Sequence, residues 1–136
     1  MIAVDTNVIA AYCGVNEKKE IARKVWEKDP EWHAPLLWIS EFRNALVLFQ
    51  RRGFIRSDLF ADVLSESHEL VSNGRTHNVG DKRVLDLTSR SGCTAYDCEF
   101  VAVAEALGVK LVTWDKELLK RFPERTISPE EFVKTR

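Results

Sequence analysis

Four acidic residues of this sequence stand where carboxylates are unusual. Asp5 and Asp115 each come directly after a short apolar run. Glu41 lies inside an apolar segment with helical spacing, and Asp97 opens another such segment, three residues after Thr94. Four carboxylates in one place repel one another and raise one another's pKa unless cations are present. Hard oxygen ligands suit Mg²⁺ or Mn²⁺, so the set predicts an acidic metal pocket and phosphoryl-transfer chemistry.

Each acid also has a structural explanation. Asp is a good helix N-cap, so Asp5 and Asp115 could each simply begin a helix. Asp97 has capping-box spacing from the preceding threonine, with Asp in place of the usual Glu or Gln. The segment around Glu41 is apolar almost all the way round, which predicts burial and makes an unpaired carboxylate costly. Arg43 or another basic group could be its partner. Each structural explanation is reasonable for one acid, but it is less probable that all four hold at once. The set of four acids therefore favours an acidic metal pocket over four separate structural roles.

The pattern of apolar residues predicts the elements that position these acids. The predicted strands lie at residues 1–4, 33–34, 76–79, 109–114 and 126–127. The predicted helices lie at residues 8–12, 17–28, 36–52, 57–70, 80–90, 94–107 and 115–122 and from residue 128 onward, with a turn at residues 72–74. Strands that alternate with helices predict an α/β fold with a mainly parallel sheet. In such sheets the functional cleft lies at the carboxyl ends of the strands.

Length and composition exclude several classes of protein. The chain has 136 residues, 45% of them hydrophobic and 30% charged, with a formal net charge of -1. These values exclude a strongly basic protein that binds nucleic acid by charge alone, and an acidic disordered chain. We expect one domain over residues 1–136, without a membrane span or a secretory signal. Three cysteines without framework spacing (Cys13, Cys93 and Cys98) favour free thiols and the cytoplasm.

The ordered set of motifs resembles the PIN-domain nucleases. Residues 5–9 read Asp-Thr-Asn-Val-Ile and resemble the opening motif of that family, and residues 39–41, Ile-Ser-Glu, resemble its second motif. Residues 94–115 are similar to its third and fourth motifs without a gap, and they are the most specific part of the match. The compact size is similar to the VapC-type toxins of bacterial and archaeal toxin–antitoxin pairs. The resemblance covers nearly the whole chain.

This resemblance implies a three-layer fold, in which helices flank a parallel sheet of about five short strands, and a homodimer. It also implies a metal-dependent endoribonuclease that uses Mg²⁺ or Mn²⁺, leaves a 5′ phosphate, and is neutralised by a cognate antitoxin that occludes the acidic pocket. Carried over to this chain, Asp5, Glu41 and Asp97 are the main catalytic, metal-binding carboxylates. Asp115 completes the pocket, directly or through water.

The resemblance also assigns supporting groups near the metal or the phosphate, which are Thr6, Asn7 and Thr113. The sequence departs from the family pattern at two positions. Cys98 stands where the family often has a small alanine, and Trp114 is a bulky residue beside the fourth acid. If the Trp114 side chain pushed that acid away, a second metal position would be in doubt.

Local cationic side chains must contact RNA, because the net charge is near zero. The candidates, each of which also fits a solvated face, are Arg43, Arg51, Arg52, Lys82, Arg83 and Lys116. Trp38, Phe42 and Phe49 fit the core or a dimer face better than a base-stacking platform. The three histidines lack metal-ligand spacing with one another or with the cysteines, which favours surface or structural roles.

Other functions that place acids at strand ends fit less well. A phosphatase of the haloacid dehalogenase type needs a second acid two residues after its first, and this chain has Asn7 there. A receiver domain needs an acidic pair at the first strand and a lysine at the end of the last strand, and this chain lacks that pattern. A non-catalytic PIN-like domain that binds RNA or a partner ranks below the nuclease because all four acids are present. A housekeeping RNA-processing nuclease remains the alternative to a toxin.

Overall fold

The structure is a computed structural model that describes residues 1–72 and 74–136. Five short parallel strands form the centre of its fold. The strands are β1 (Ile2–Val4), β2 (Trp32–Pro35), β3 (Thr76–His77), β4 (Leu111–Val112) and β5 (Thr126–Ile127). Their order across the sheet is β3-β2-β1-β4-β5, and every pairing in the described residues is parallel. The predicted α/β fold is therefore confirmed, with a sheet that is wholly rather than mainly parallel.

The described residues form eight α-helices around this sheet. They are α1 (Thr6–Tyr12), α2 (Lys19–Lys28), α3 (Leu37–Arg51), α4 (Phe60–Leu70), α5 (Asp81–Ser91), α6 (Ala95–Leu107), α7 (Lys116–Arg121) and α8 (Pro129–Lys134). A 3₁₀ turn at Ser57–Leu59 precedes α4. The predicted elements differ from these by a few residues at their ends. The predicted turn at residues 72–74 includes Asn73, which lies outside the described residues. No described helix has both the length and the apolar character needed to cross a bilayer.

The strand order changes direction at β1, and this places helices on both faces of the sheet. From β1 the chain steps outward to β2 and then to β3, and helices α1 to α4 lie in these two crossovers. It then returns through α5 and α6 to β4, on the other side of β1. Because parallel crossovers are right-handed, the returning helices pack on the opposite face. The three-layer arrangement follows, and the switch between β1 and β4 leaves a crevice at their carboxyl ends.

Helix α6 is the central helix of one face and packs on β1, β2 and β4. Its buried residues are Cys98, Phe100, Val101, Ala102, Val103 and Ala104. The hydroxyl of Thr94 accepts the backbone N–H of Asp97 at 3.1 Å and fixes where the helix begins. Gly108 ends it in the left-handed region at φ 68°, which a glycine adopts without steric cost. The local cap thus holds Asp97 in the first turn, at the carboxyl edge of the sheet.

Helix α3 is amphipathic, and the expectation that it is buried all round is wrong. Its buried face carries Trp38, Phe42 and Leu46. The opposite face is exposed and carries Ser40, Arg43, Asn44 and Leu48. Glu41 lies at the boundary between the two faces and is partly buried. Apolar residues occur on nearly every side of this helix, and apolar side chains also occur on protein surfaces. The sequence alone therefore does not show which side of α3 packs against the rest of the protein.

Phe42→Ala tests whether this buried face holds α3 against the sheet. The Phe42 side chain is completely buried, with its ring centroid 6.1 Å from that of Trp38. We expect the free energy of unfolding to fall by about 3–5 kcal/mol, because the substitution leaves a cavity. Urea denaturation measures this loss. Arg43→Ala, on the exposed face, is the control and should change stability by less than about 0.5 kcal/mol. Equal effects of the two substitutions would contradict this packing.

Candidate active site

An acidic cavity lies where the strand order changes direction. The backbone N–H of Asp5 donates to the carbonyl of Val112 at 3.0 Å, so the residues that follow β1 and β4 meet at one edge of the sheet. Asp5 and Asp115 come from these two strand ends. Glu41 comes from α3 and Asp97 from the first turn of α6. All four predicted acids line one open cavity of about 340 Å³.

The cavity carries negative charge without positive charge to balance it. Its other lining residues are Thr6, Asn7, Ala10, Val15, Asn16 and Ala45, so no basic side chain is among the lining residues. Within the described part of the chain, neither Arg43 nor another basic residue forms an ion pair with any of the four acids. The suggested partnership of Glu41 with a basic group is therefore absent from this structure.

Two threonines connect three of the acids. The backbone N–H of Thr6 donates to Asp5 Oδ1 at 2.7 Å, and its hydroxyl donates to Glu41 Oε1 at 2.7 Å. The hydroxyl of Thr113 donates to Asp5 Oδ2 at 2.7 Å and accepts the backbone N–H of Asp115 at 2.9 Å. Both threonines were expected near the site. Thr6 lines the cavity, whereas Thr113 is completely buried and is not among the lining residues. Their hydrogen bonds fix the orientations of the carboxyl groups.

The capping alternatives are correct for the two strand-end acids, and they do not exclude the cavity. Asp5 is the N-cap of α1, and Asp115 is the N-cap of α7, where its Oδ1 accepts the backbone N–H of Leu118 at 3.0 Å. A carboxylate has two oxygens with about four lone-pair sites, so one group can cap a helix and still face a ligand. The caps orient these acids toward the cavity.

Burial and mutual repulsion raise the pKa of the acids. Burial is the largest cause for Asp5, and it raises the pKa of this group to about 7 despite the hydrogen bond from Thr113. Burial also raises the pKa of Glu41, against the hydrogen bond from Thr6, with repulsion from Asp97 and Glu99 adding to the rise. The pKa of Asp97 is raised by burial and then by repulsion from Asp115. A cation in the cavity would relieve this repulsion.

The donor set fits a divalent cation. Asn7 lines the cavity, and its Oδ1 is buried without a hydrogen-bond partner among the described residues. A buried acceptor that lacks a donor costs about 1–3 kcal/mol, and an amide oxygen is a ligand that Mg²⁺ and Mn²⁺ accept. In residues 1–72 and 74–136, no three His, Cys, Asp or Glu side chains lie close enough together to coordinate one metal ion in their present conformations. The carboxylates therefore line the cavity without meeting at one point.

Comparisons with known proteins identify the family. The family model of the PIN domain matches residues 2–124. This chain belongs to the PIN-domain family. Ribonuclease VapC3 of Pyrobaculum aerophilum is 33% identical over 124 residues, which cover 90% of this chain and 95% of that protein. The crystal structure of PAE2754, from the same organism, has the same fold with a TM-score of 0.76 at 24% identity, covering 97% of this chain and 92% of that one. The resemblance read from the motifs is confirmed.

The two departures from the family pattern fit within this PIN domain. The indole Nε1 of Trp114 donates to both carboxylate oxygens of Glu130, at 2.6 and 2.8 Å, and the ammonium of Lys18 lies 4.8 Å from the Trp114 ring centroid. The indole is thus engaged with α8 and Lys18, and Asp115 still lines the cavity. Cys98 is completely buried in the core. Neither residue removes an acid from the site.

Some expected RNA contacts are engaged elsewhere. Lys82 forms an ion pair with Asp86 at 2.8 Å, and Arg83 forms one with Glu105 at 2.8 Å. The remaining candidates are exposed, namely Arg43, Arg51, Arg52 and Lys116. Trp38 and Phe42 belong to the core, as expected, while Phe49 is partly buried against it.

Two residues near the site were not predicted from the sequence. Asn16 lines the cavity, and its Nδ2 donates to the carbonyl of Asn7 at 3.3 Å. No sequence signal marked Asn16, since it follows α1 in an irregular segment. Glu99 lies close enough to Glu41 to raise its pKa. The argument that singled out Glu41, a carboxylate in an apolar helix, applies equally to Glu99 in α6.

Asp5→Asn should remove part of the pH dependence of stability in the metal-free protein. The pKa of Asp5 rises from 3.8 to about 7 on folding, so the folded state binds more protons than the unfolded state between these values. The free energy of unfolding of the wild type should therefore fall by a few kcal/mol as the pH rises from about 4 to about 7. Urea denaturation in EDTA across this range measures the slope.

The matched control for this experiment is Asp62→Asn, because Asp62 is exposed on α4. It should keep the wild-type slope, whereas Asp5→Asn should flatten it. Identical pH slopes in the wild type and in Asp5→Asn would contradict the burial of an ionisable group at position 5.

Thr113→Val tests the hydrogen bonds behind the acids. The substitution keeps the volume but leaves Asp5 Oδ2 without its donor and the N–H of Asp115 without its acceptor. We expect a loss of about 1–3 kcal/mol in the free energy of unfolding, measured by urea denaturation above pH 7, where Asp5 is ionised. Thr113→Ser keeps the hydroxyl and should lose about 0.8 kcal/mol, from one buried methyl group. A valine variant as stable as the serine variant would count against the network.

Proposed function

We propose that this chain is a metal-dependent endoribonuclease that hydrolyses RNA phosphodiesters, and that it is the toxin of a type II toxin–antitoxin pair. One observation carries the nuclease proposal: four carboxylates from four separate elements line one cavity that has no basic lining residue. The identity of 33% with Ribonuclease VapC3 supports RNA as the substrate and the toxin as the role.

We infer that Mg²⁺ or Mn²⁺ would be held by Asp5, Glu41 and Asp97, with Asp115 completing the set directly or through water. The unpartnered oxygen of Asn7 supports this set as a further hard ligand or as an acceptor from a bound water. When bound, such an ion lowers the pKa of a water molecule to near neutrality and stabilises negative charge on the leaving oxygen.

The residues of the chain prepare this site through charge and orientation. The Thr6 N–H and the Thr113 hydroxyl both donate to Asp5, which favours its ionised form against the effect of burial. The Thr6 hydroxyl fixes one oxygen of Glu41 and leaves the other for a ligand. Since no histidine lines the cavity, the carboxylates are its titratable groups. Their role is to position the ion and, through it, the attacking water.

RNA binding at an acidic cavity requires positive charge around it. Lys116 directly follows Asp115 and is exposed, and Lys18 lies over the ring of Trp114, the residue before Asp115. We assign contacts with RNA phosphates to these lysines and to Arg43, the exposed neighbour of Glu41 on α3. Lys82 and Arg83 are less suitable because their charges are already paired.

The proposal includes a homodimer, a cognate antitoxin that covers the acidic cavity, and a cytoplasmic location. Large apolar side chains on α3 and the segment after it support protein contacts, since Leu36, Leu48, Phe54 and Leu59 are exposed. The three cysteines are free, which suits a reducing compartment.

Cleavage of total RNA by the purified protein tests the nuclease proposal. We expect cleavage with Mg²⁺ or Mn²⁺, no cleavage in EDTA, and a loss of at least about 100-fold in Asp97→Asn, since even groups that only hydrogen-bond to metal ligands are worth 10- to 100-fold. Asp62→Asn, on the exposed surface of α4, should cleave like the wild type.

Equal cleavage by the wild type and Asp97→Asn would place the activity elsewhere or reveal a contaminant. A folded wild type that binds metal but cleaves no RNA would instead favour a binding domain without catalysis. The identity of the cleaved RNA would separate a toxin from a housekeeping nuclease.

A further inference from the structure

Tyr96 is a large exposed aromatic residue next in sequence to Asp97, one of the acids that line the cavity. It precedes Asp97 in the first turn of α6, and 65% of its surface is exposed. Phe54 has a similar exposure of 66%, but its ring lies against that of Phe49, with 5.1 Å between centroids. Tyr96 pairs with no aromatic ring within residues 1–72 and 74–136. Aromatic pairing within the described residues therefore does not account for this ring.

Helix geometry places Tyr96 between Asp97 and Glu99 on the surface of α6. Successive residues are rotated by about 100° around an α-helix, so positions 96 and 100 lie between positions 97 and 99. Asp97 lines the acidic cavity, and Glu99 lines a separate groove beside α5, so Tyr96 lies on the side of the helix between the cavity and this groove. Phe100 is buried on this side, and Tyr96 lies one turn nearer the open N-terminal end. Because side chains lean toward the helix N-terminus, the Tyr96 ring extends from this open end into solvent, next to the turn that carries Asp97.

A second groove, of about 280 Å³, begins at the same helical turn. Its lining residues are Val79, Asp81, Val84, Leu85, Ala95 and Glu99. The walls are mostly apolar, and Leu85 leaves 58% of its surface exposed. The charged groups of the groove are carboxylates, which accept hydrogen bonds and repel phosphate. The groove therefore suits the face and the N–H edge of a nucleobase better than the sugar-phosphate backbone.

We propose that Tyr96 stacks on the nucleobase next to the scissile phosphate, and that the groove between α5 and the start of α6 receives this base. This inference rests on the proposed cleavage of RNA at the neighbouring acids. Tyr96 is then a positioning residue, because it holds the strand through the base and does not touch the reacting phosphate. Stacking on an aromatic ring binds any base and needs no positive charge, which suits a chain whose net charge is -1.

Steady-state cleavage of a short single-stranded RNA tests this role. The probe carries a fluorescein label and the cleavage site mapped with the wild-type enzyme. We expect Tyr96→Ala to raise KM by about 5- to 150-fold, the value of one base–aromatic stack, with kcat changed by less than about 3-fold. Tyr96→Phe keeps the ring and should stay within about 2-fold of the wild type.

The same RNA with single abasic nucleotides on either side of the cleavage site identifies the stacked base. At one position, loss of the base should raise the KM of the wild type at least as much as Tyr96→Ala does, and should raise the KM of Tyr96→Ala by a smaller factor than it raises that of the wild type. A purely structural role of Tyr96 would not produce this dependence on one base.

Two results would overturn the inference while the nuclease proposal stands: a KM in Tyr96→Ala equal to that of the wild type, or losses that add at every abasic position. Absence of metal-dependent cleavage by the wild type would refute the proposed function, and the stacking role with it. Thermal unfolding of Tyr96→Ala and Tyr96→Phe should give the wild-type Tm, which separates lost binding from lost folding.

Discussion

The buried carboxyl group of Asp5 is the constraint on which the rest of the site depends. Parallel pairing of β1 with β4 sets Val4 opposite Val112, so the next residues, Asp5 and Thr113, lie side by side. Thr113 then donates to Asp5, and Thr6 connects Asp5 to Glu41. A slip of one residue in this register would turn the side chains to the other face of the sheet and dismantle the network.

This constraint also explains why the site is charged yet unpaired. Burial raises the pKa of Asp5 to about 7, and its nearest donors are neutral hydroxyl and amide groups rather than a lysine or arginine. A salt bridge would have satisfied the carboxylate and closed the cavity to a cation. Neutral donors fix the geometry of the carboxylate but leave its charge to be balanced by a ligand. The uncompensated charge lowers the stability of the fold, as is common at functional sites.

The positions of the acids were predictable because the signals for them are local. Strands, caps and apolar helices are encoded over a few residues, so Asp5, Asp97 and Asp115 could be placed at the edge of a parallel sheet. The extent of β4 was overestimated, since Val109 and Trp114 are apolar for other reasons: Val109 packs on the core, and Trp114 binds Glu130. Local patterns reveal that a residue is apolar but not what it packs against.

The hydrogen bonds from Thr6 and Thr113 to the acids could not be predicted from local sequence patterns. Thr6 and Glu41 are 35 positions apart, and Asp5 and Thr113 are 108 apart, so their hydrogen bonds depend on strand order and crossover handedness. The PIN-domain resemblance named Thr6 and Thr113 as supporting groups without saying which atoms they bind. The exposed side of α3 likewise follows from its packing on β2 rather than from its composition.

Titration calorimetry of Mn²⁺ into the metal-free protein near pH 7 tests the central claim most directly. The claim is that the acidic cavity around Asp5 is built to hold a divalent cation. We expect saturable binding with release of protons, visible as heats that differ between two buffers, because Asp5 is partly protonated at this pH and must ionise to bind. Asp5→Asn should lose most of the affinity and the proton release. Absence of saturable binding by the wild type, or equal binding and proton release by Asp5→Asn, would contradict the claim.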